Sequence, residues 1–333
     1  MTTATFPVTE STHVSTVRRA GSALAARVGF DEGDAGRVAL VVSELATNLV
    51  KHARGGEILL ALIDDRDRAG VDVLALDKGP GFRDFDHSAQ DGNSTCGSLG
   101  HGLGAVRRQS DYFDLFSTPA GTVALARLHR RPNVPTSTNG FAVAGLSVPK
   151  PGEQRCGDDW AADIGPHRAA LFVVDGLGHG PAAADAAAEA VAVFRRAPGR
   201  APAALLDDVH LALRPTRGGA VGMAVVDLDR SLTIYAGIGN IAGSVVTDDQ
   251  RSSFVSQNGT AGHVARRLQE FTYPIASQST IVMQSDGLGT HWSPADYPGL
   301  WQRDPAIVAG VLYRDFTRRR DDVTVLVGRI GVR

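Results

Sequence analysis

The sequence predicts an α+β protein of two domains, and three observations carry that expectation. At 333 residues the chain is long for one domain and comfortable for two. Residues 130–140, RRPNVPTSTNG, break every period with prolines and small polar residues and read as a linker. Before that stretch two helical patterns precede the first strands, whereas after it the pattern shifts towards strands separated by three helices. The expected division is residues 1–130, a linker at 131–140, and residues 141–333.

The elements follow in order. Val14, Val17, Leu24 and Val28 recur at helical spacing and predict a first helix ending near Gly29. Asp31 can cap a second helix running to about Ala53, whose buried stripe is Val38, Val41, Val42, Leu45 and Leu49. Gly55 and Gly56 stop it. Strands are expected at 57–63 and 71–76, then a long polar, Gly/Ser-rich connection at 83–99 of the kind that often serves as a lid. A helix resumes at about 104–111, and strands follow at 112–117 and 122–128. Beyond the linker, strands are expected at 141–148, 168–174, 222–227, 232–236, 244–247, 280–284 and 323–327, with helices at 182–196, 202–213 and 305–317. There is no internal repeat.

Composition excludes several classes. Apolar content of 43% with 21% charge is ordinary for a globular chain and argues against wholesale disorder. A net charge of −2 with no basic stripe gives nucleic acid nothing to bind. Cys96 and Cys156 lie far apart, so reduced thiols fit better than a disulfide framework. The first twelve residues lack the basic and apolar regions of a secretory signal, and the alanine-rich stretch at 181–194 is too short to span a bilayer. The expectation is a cytoplasmic protein without a membrane partner.

Chemistry concentrates in two sets of residues. Glu44 and Asn48 stand four apart on the second helix, so they project from one face and could coordinate Mg²⁺ and activate a hydroxyl near a γ-phosphate. Alone, they read more simply as the polar side of an amphipathic helix. Asp77-Lys78-Gly79-Pro80-Gly81 follows a strand, placing a carboxylate where it can accept from an exocyclic amine, with glycines that admit a base or phosphate. Gly100-His101-Gly102-Leu103-Gly104 leads into a helix whose free N–H groups can seat a phosphate. Each of these also describes common turns.

Order and spacing together resemble the ATP-binding module of histidine kinases, gyrase-type ATPases and anti-sigma serine kinases, the GHKL superfamily. The run 43–53, SELATNLVKHA, is similar to the N-box of the RsbT and RsbW serine kinases, RsbT being the nearer; 77–82 and 97–108 are similar to the two glycine boxes. The resemblance covers about residues 10–130. It implies a Bergerat-type α/β sandwich in which Glu44 is the catalytic base, Asn48 holds Mg²⁺, and Asp77 reads adenine. Gly79, Gly81, Gly100, Gly102, Leu103, Gly104 and Thr122 would line the ATP, and 83–99 would be its lid. A histidine kinase is the competing reading, but only a short helix precedes the module and His13 lacks a following acid.

The second set is acidic. Asp175-Gly176 and Asp286-Gly287 end apolar strands, Asp321-Asp322 opens the last strand, and Gly157-Asp158-Asp159 precedes the strand pair that starts the second domain. Hard divalent ions want carboxylate oxygens held rigidly, and two such ions can activate a water. Any one Asp-Gly is more simply a turn. Together with 174–180, VDGLGHG, and 216–220, TRGGA, they resemble the PPM-class serine/threonine phosphatases of the SpoIIE and RsbX branch, RsbX being the nearer, over about residues 140–330. That implies a PPM-type β-sandwich flanked by helices, with Asp158, Asp175, Asp286, Asp322 and the Gly176 carbonyl as ligands of Mn²⁺ or Mg²⁺. Asp159 could replace Asp158, and Asp321 could replace Asp322. His179 reads as part of a structural turn, and Arg217 as either a phosphate contact or a surface ion pair.

The two resemblances imply one bifunctional switch, an ATP-dependent serine/threonine kinase joined to a phosphoserine/phosphothreonine phosphatase. Its partners would be STAS-domain anti-sigma antagonists or stressosome proteins, and a homodimer stays open. The alternative is an ATP-gated binding module, without significant kinase activity, fused to an active phosphatase.

Overall fold

The structure is a computed structural model that describes residues 3–65, 68–81, 100–130, 140–247, 250–265 and 267–331. The chain divides into two compact units, one ending at residue 136 and the other beginning at residue 137. The expected linker and lid lie outside the described residues, save Gly140, as does Cys96. Among the described residues no helix is long and apolar enough to cross a membrane.

The first unit is a helical layer on an antiparallel sheet. Its elements are β1 (Ala4–Val8), α1 (Ser11–Val28), α2 (Glu32–His52), β2 (Gly56–Asp65), β3 (Arg68–Leu76), α3 (Gly100–Gln109), β4 (Tyr112–Thr118) and β5 (Gly121–His129). The sheet runs β1-β2-β3-β5-β4, every pair antiparallel. Asp31 caps α2 as expected, its side chain accepting from Asp34 N at 2.7 Å. The stripe Val38, Val41, Val42, Leu45 and Leu49 is buried against Ile58, Leu60, Val71, Val73, Ala124 and Ala126 of the sheet. Burying one face of α2 leaves Glu44 and Asn48 on its flank. Two expectations need correcting. Strand β1 was missed because Pro7 interrupts it; at the sheet edge the missing N–H costs no ladder bond. The third helix begins at Gly100 rather than near 104, so the glycine run forms its first turn instead of preceding it.

The second unit is a sandwich of two antiparallel five-stranded sheets. One is ordered β13-β10-β9-β8-β7 and the other β12-β11-β14-β15-β6. The strands are β6 (Phe141–Val148), β7 (Asp158–Ile164), β8 (Arg168–Gly176), β9 (Gly219–Asp227), β10 (Leu232–Ile238), β11 (Ala242–Val246), β12 (Arg251–Ser253), β13 (Phe271–Pro274), β14 (Thr280–Gln284) and β15 (Val323–Ile330). Leu171, Val173, Ala224 and Tyr235 meet Ile281, Met283 and Leu326 between the sheets. On the outer face of the first sheet, Phe172 and Val174 pack under α4 (Pro181–Arg196) and α5 (Pro202–Leu213). The last helix, α6 (Pro305–Phe316), packs on β6 and β15. Because β8 is buried on both faces it reads as one apolar run, which is why sequence found it. Strand β7 was not found: Asp158, Asp159 and Asp163 break its pattern, and Asp158 is its first residue rather than part of the loop before it.

Candidate functional site

In the first unit, α2 carries Glu44 and Asn48 one turn apart and both half-buried. The first turn of α3 lies directly on them. A Cβ placed on Gly102 would stand 3.0 Å from Glu44 Oε2 and 3.4 Å from Asn48 Oδ1, so only glycine admits this approach without displacement. Leu103 turns its side chain into the core, which leaves only its backbone for a ligand. At the far end of α3, Gln109 O accepts from Arg37 Nε and Nη2 at 2.9 and 2.7 Å. Arg37 also donates to Asp34 and Asp111, and thereby ties α3 to α2. This clamp was not anticipated, since Arg37 reads in sequence as one more polar helix position.

Asp77 sits just beyond β3, with its Oδ1 accepting from Gly79 N at 2.7 Å and from Thr122 N at 3.2 Å. Thr122, buried, returns its carbonyl to Asp77 N and shares a 3.0 Å hydroxyl contact with Ser117. Gly81 adopts a φ of +68°, and a Cβ there would lie 2.2 Å from Thr118 O. Asp77, Gly79, Gly81 and Thr122 therefore form one rigid corner, whereas Glu44, Asn48 and Gly102 form a second cluster on α2 and α3. A Cβ placed on Gly79 would lie 3.0 Å from Ala53 Cα, at the C-terminus of α2, so the corner packs closely on the end of that helix.

In the second unit the acids converge from both sheets. Asp158 and Asp175 are cross-strand register partners on β7 and β8. Asp286 follows β14 and Asp322 precedes β15. A Cβ on Gly157 would lie 2.6 Å from Asp322 Oδ2, and one on Gly287 would collide with Asp322 O. Burial, then the charge of Asp175, hold the Asp158 carboxyl well above the ordinary carboxylate range. Burial, then Asp286 and Asp321, push Asp175 up to about 7. Burial raises Asp286, with Asp321 adding to it, while Arg318 and the 2.6 Å bond from Asn240 Nδ2 oppose the shift. Burial also raises Asp322, against the N–H of Lys150 at 2.8 Å.

These acids are short of positive charge. Asp158 Oδ2 and Asp322 Oδ2 are buried without a hydrogen-bond partner. Among the described residues no three His, Cys, Asp or Glu groups close into a ready-made cage. Hard dications complete their shells with water and carbonyl oxygens, so an open acid cluster with orphaned oxygens fits them. Asp159 points elsewhere, its Oδ1 accepting from Trp160 N at 2.9 Å. Asp321 is exposed, and its charge presses on both Asp175 and Asp286. Gly176 closes β8, its N–H bonded to Gly157 O.

Ser285 and Asn240 are supporting residues without an assigned part in the sequence reading. The Ser285 hydroxyl lowers Asp158 and accepts from Thr324 N, and Asn240 holds Asp286. A polar side chain beside a motif acid was the available signal for Ser285; Asn240 had none. His179 bonds Glu153 Oε1 at 2.7 Å, consistent with a structural turn. Arg217 makes no ion pair among the described residues. Cys156 is buried, its thiol pushed up by burial and then by Asp158 and Asp322.

Comparisons with known proteins match each unit separately. Residues 6–128 match the family model described as histidine kinase-like ATPase domain, and residues 165–293 match Stage II sporulation protein E (SpoIIE). The serine/threonine-protein kinase RsbT of Bacillus subtilis (strain 168) is 39% identical over 100 residues, which cover 30% of this chain and 75% of that protein. A chain from work on the bacterial stressosome as a modular system is 25% identical with a TM-score of 0.53, over 57% of this chain and 99% of its own. RsbX in complex with magnesium is 17% identical with a TM-score of 0.52, over 57% and 96%. The PP2C phosphatase domain of Bacillus subtilis SpoIIE with a fragment of its regulatory domain is 16% identical with a TM-score of 0.50, over 96% and 92%. The last two are likenesses of fold.

Proposed function

The chain belongs to the RsbT family of serine/threonine-protein kinases and carries a SpoIIE-type domain after that module, and on that premise we propose a bifunctional switch. One unit phosphorylates a serine or threonine of a STAS-domain partner with ATP and Mg²⁺, and the other removes the phosphate. The observation that supports it is that each unit gathers its phosphate-handling residues at one place: Gly102 against Glu44 and Asn48, and the aspartates across two sheet ends.

In the kinase unit Glu44 is the base that takes the proton from the attacking hydroxyl, and Asn48 beside it orients the phosphate-bound metal. The N–H groups at the start of α3, Gly100 through Gly102, have no preceding helical turn to bond and suit phosphate oxygens, and Gly102 lies against Glu44 and Asn48. Asp77 is fixed by Gly79 and Thr122, which preorganises it to accept from the adenine amine.

In the phosphatase unit Asp158, Asp175, Asp286 and the Gly176 carbonyl are the candidate metal ligands. Of the two adjacent acids at β15, Asp321 fits a direct ligand better, because its charge faces Asp175 and Asp286. Asp322, buried and bonded to Lys150 N, fits a supporting place that orients them. Divalent ions bound there supply an activated water and neutralise the phosphoryl oxygens. The chain's own part is to gather its carboxylates on packed strand ends, where bound cations would offset the burial and mutual repulsion that oppose their ionisation, with Ser285 and Asn240 fixing their orientation.

The test is incorporation and decay of label. With labelled ATP, Mg²⁺ and a STAS-domain partner, Glu44→Ala should abolish incorporation, whereas Asp175→Ala should let label accumulate and persist. Equal label with Glu44→Ala would leave the ATP-gated binding module as the reading of the first unit. Decay unaffected by Asp175→Ala would remove the phosphatase assignment.

A further inference from the structure

Arginines stand at the rim of the acid cluster on two separate turns. Arg318, Arg319 and Arg320 are consecutive and exposed, immediately before Asp321 and Asp322. Their turn is held firmly: Arg318 N donates to Gly287 O at 3.0 Å, Gly289 N to Phe316 O at 2.9 Å, and Leu288 bridges Thr317. Arg319 is held at a φ of +51°, a left-handed conformation that disfavours a non-glycine residue. The charge of Arg318 reaches Asp286, the acid beside its anchor.

The second turn belongs to the other sheet. Arg217 is exposed, two residues before Gly219, which pairs with Gly176 next to Asp175. Thr216 Oγ1 accepts from Gly218 N at 2.9 Å, and Arg217 O accepts from His263 Nε2 at 2.8 Å. The Arg217 Nη1 lies 3.2 Å from where a Cβ on Gly178 would be, over the loop that follows Asp175. The guanidinium groups of Arg217 and Arg320 make no hydrogen bond or ion pair among the described residues. Fixing like charges together on a strained turn is unfavourable by itself, and an anionic partner offsets it.

We propose that Arg217 with Arg318 and Arg320 forms a substrate-selecting rim that takes a phosphoprotein segment whose phosphoserine or phosphothreonine is flanked by acidic residues. The proposal rests on the phosphatase reading of the same unit. The acids at the floor repel such a segment, so bound metal must carry the phosphate while the arginines carry its flanks. Guanidinium forks match carboxylates at two points, which gives register as well as attraction. Rim charges of this kind act on encounter and on KM rather than on the chemical step.

The experiment uses the full-length chain with Mn²⁺ and three substrates: an acidic-flanked phosphoserine peptide, its neutral-flanked analogue and para-nitrophenyl phosphate. The wild-type protein should prefer the acidic peptide, and added salt should erase the preference. Replacing Arg217, or Arg318 and Arg320 together, by Gln should raise KM for that peptide by up to about fivefold per arginine, the scale of an exposed charge pair. Turnover of para-nitrophenyl phosphate should stay within about twofold, and Arg318→Lys in the Arg320-intact protein should keep the salt-sensitive attraction but lose part of the preference, because an ammonium cannot make the two-point contact. Equal turnover of both peptides by the wild type overturns the rim, as does an equal loss on para-nitrophenyl phosphate. A wild-type protein that hydrolyses none of the three overturns the phosphatase reading, and the rim with it.

Discussion

Asp158 and Asp175 face each other as register partners across β7 and β8, one buried and the other nearly so. Two carboxyls so placed cannot both ionise cheaply without a cation between them. With divalent ions removed, these groups titrate above their unfolded values near 4. Their contribution to stability is then complete below about pH 4 and is lost as pH rises through the folded values, about 7 for Asp175. The melting temperature of the second unit in EDTA should therefore fall as pH rises from about 5 to 8, and Mn²⁺ should restore most of the loss. A metal-free melting temperature that climbs across that window would contradict the arrangement.

Asn240 reaches Asp286 with a 2.6 Å bond, from the turn after β10. Outer partners of this kind cost about 10–100-fold in metal affinity when removed. Asn240→Ala should weaken Mn²⁺ binding, measured by titration calorimetry, within that range while leaving ATP binding by the first unit untouched. An unchanged Mn²⁺ affinity would show that Asp286 is not held for a metal.

Gly102 lies in the first turn of α3 against Glu44. Alanine is about 1 kcal/mol better than glycine inside a helix, so stability alone favours the exchange. Its methyl would press on the Glu44 carboxylate. Gly102→Ala should thus reduce phosphate incorporation at least tenfold with no fall in the first unit's melting temperature. A drop in stability matched by the drop in activity would mean the glycine is structural only.

Arg37 holds the last carbonyls of α3 through Gln109 O, with Asp34 and Asp111 as its counter-charges. Removing one partner of a mostly buried pair typically costs about 3 kcal/mol. Arg37→Ala should lower the first unit's melting temperature by several degrees and weaken ATP binding, read by fluorescence of a labelled nucleotide, leaving phosphatase turnover unchanged. Turnover that falls equally would point to damage beyond α3.

Much of this was legible in sequence wherever the physical signal is local. The cap at Asp31, the stripe of α2, the doubly buried β8 and the i,i+4 pair Glu44 and Asn48 all follow from spacing and apolar period. The misses are equally physical. Pro7 hid an edge strand whose lost donor faces away from the ladder, and three acids hid β7, because a strand that delivers a functional carboxylate departs from alternation at that point.

By itself the sequence determined the two units, the residue types available to each, and the helix edge and strand ends that present them. Periodicity and turn chemistry act over a few residues and are written directly in the chain. Only the tertiary structure decided which of those residues meet. Gly102 reaches Glu44 across 58 positions because two helices pack closely. Asp158 and Asp175 are joined to Asp286 and Asp321 because two sheets bring their ends together. Arg37, Ser285 and Asn240 gained their places the same way. Contacts between residues so distant in sequence depend on the packing of whole elements, and no local pattern records them.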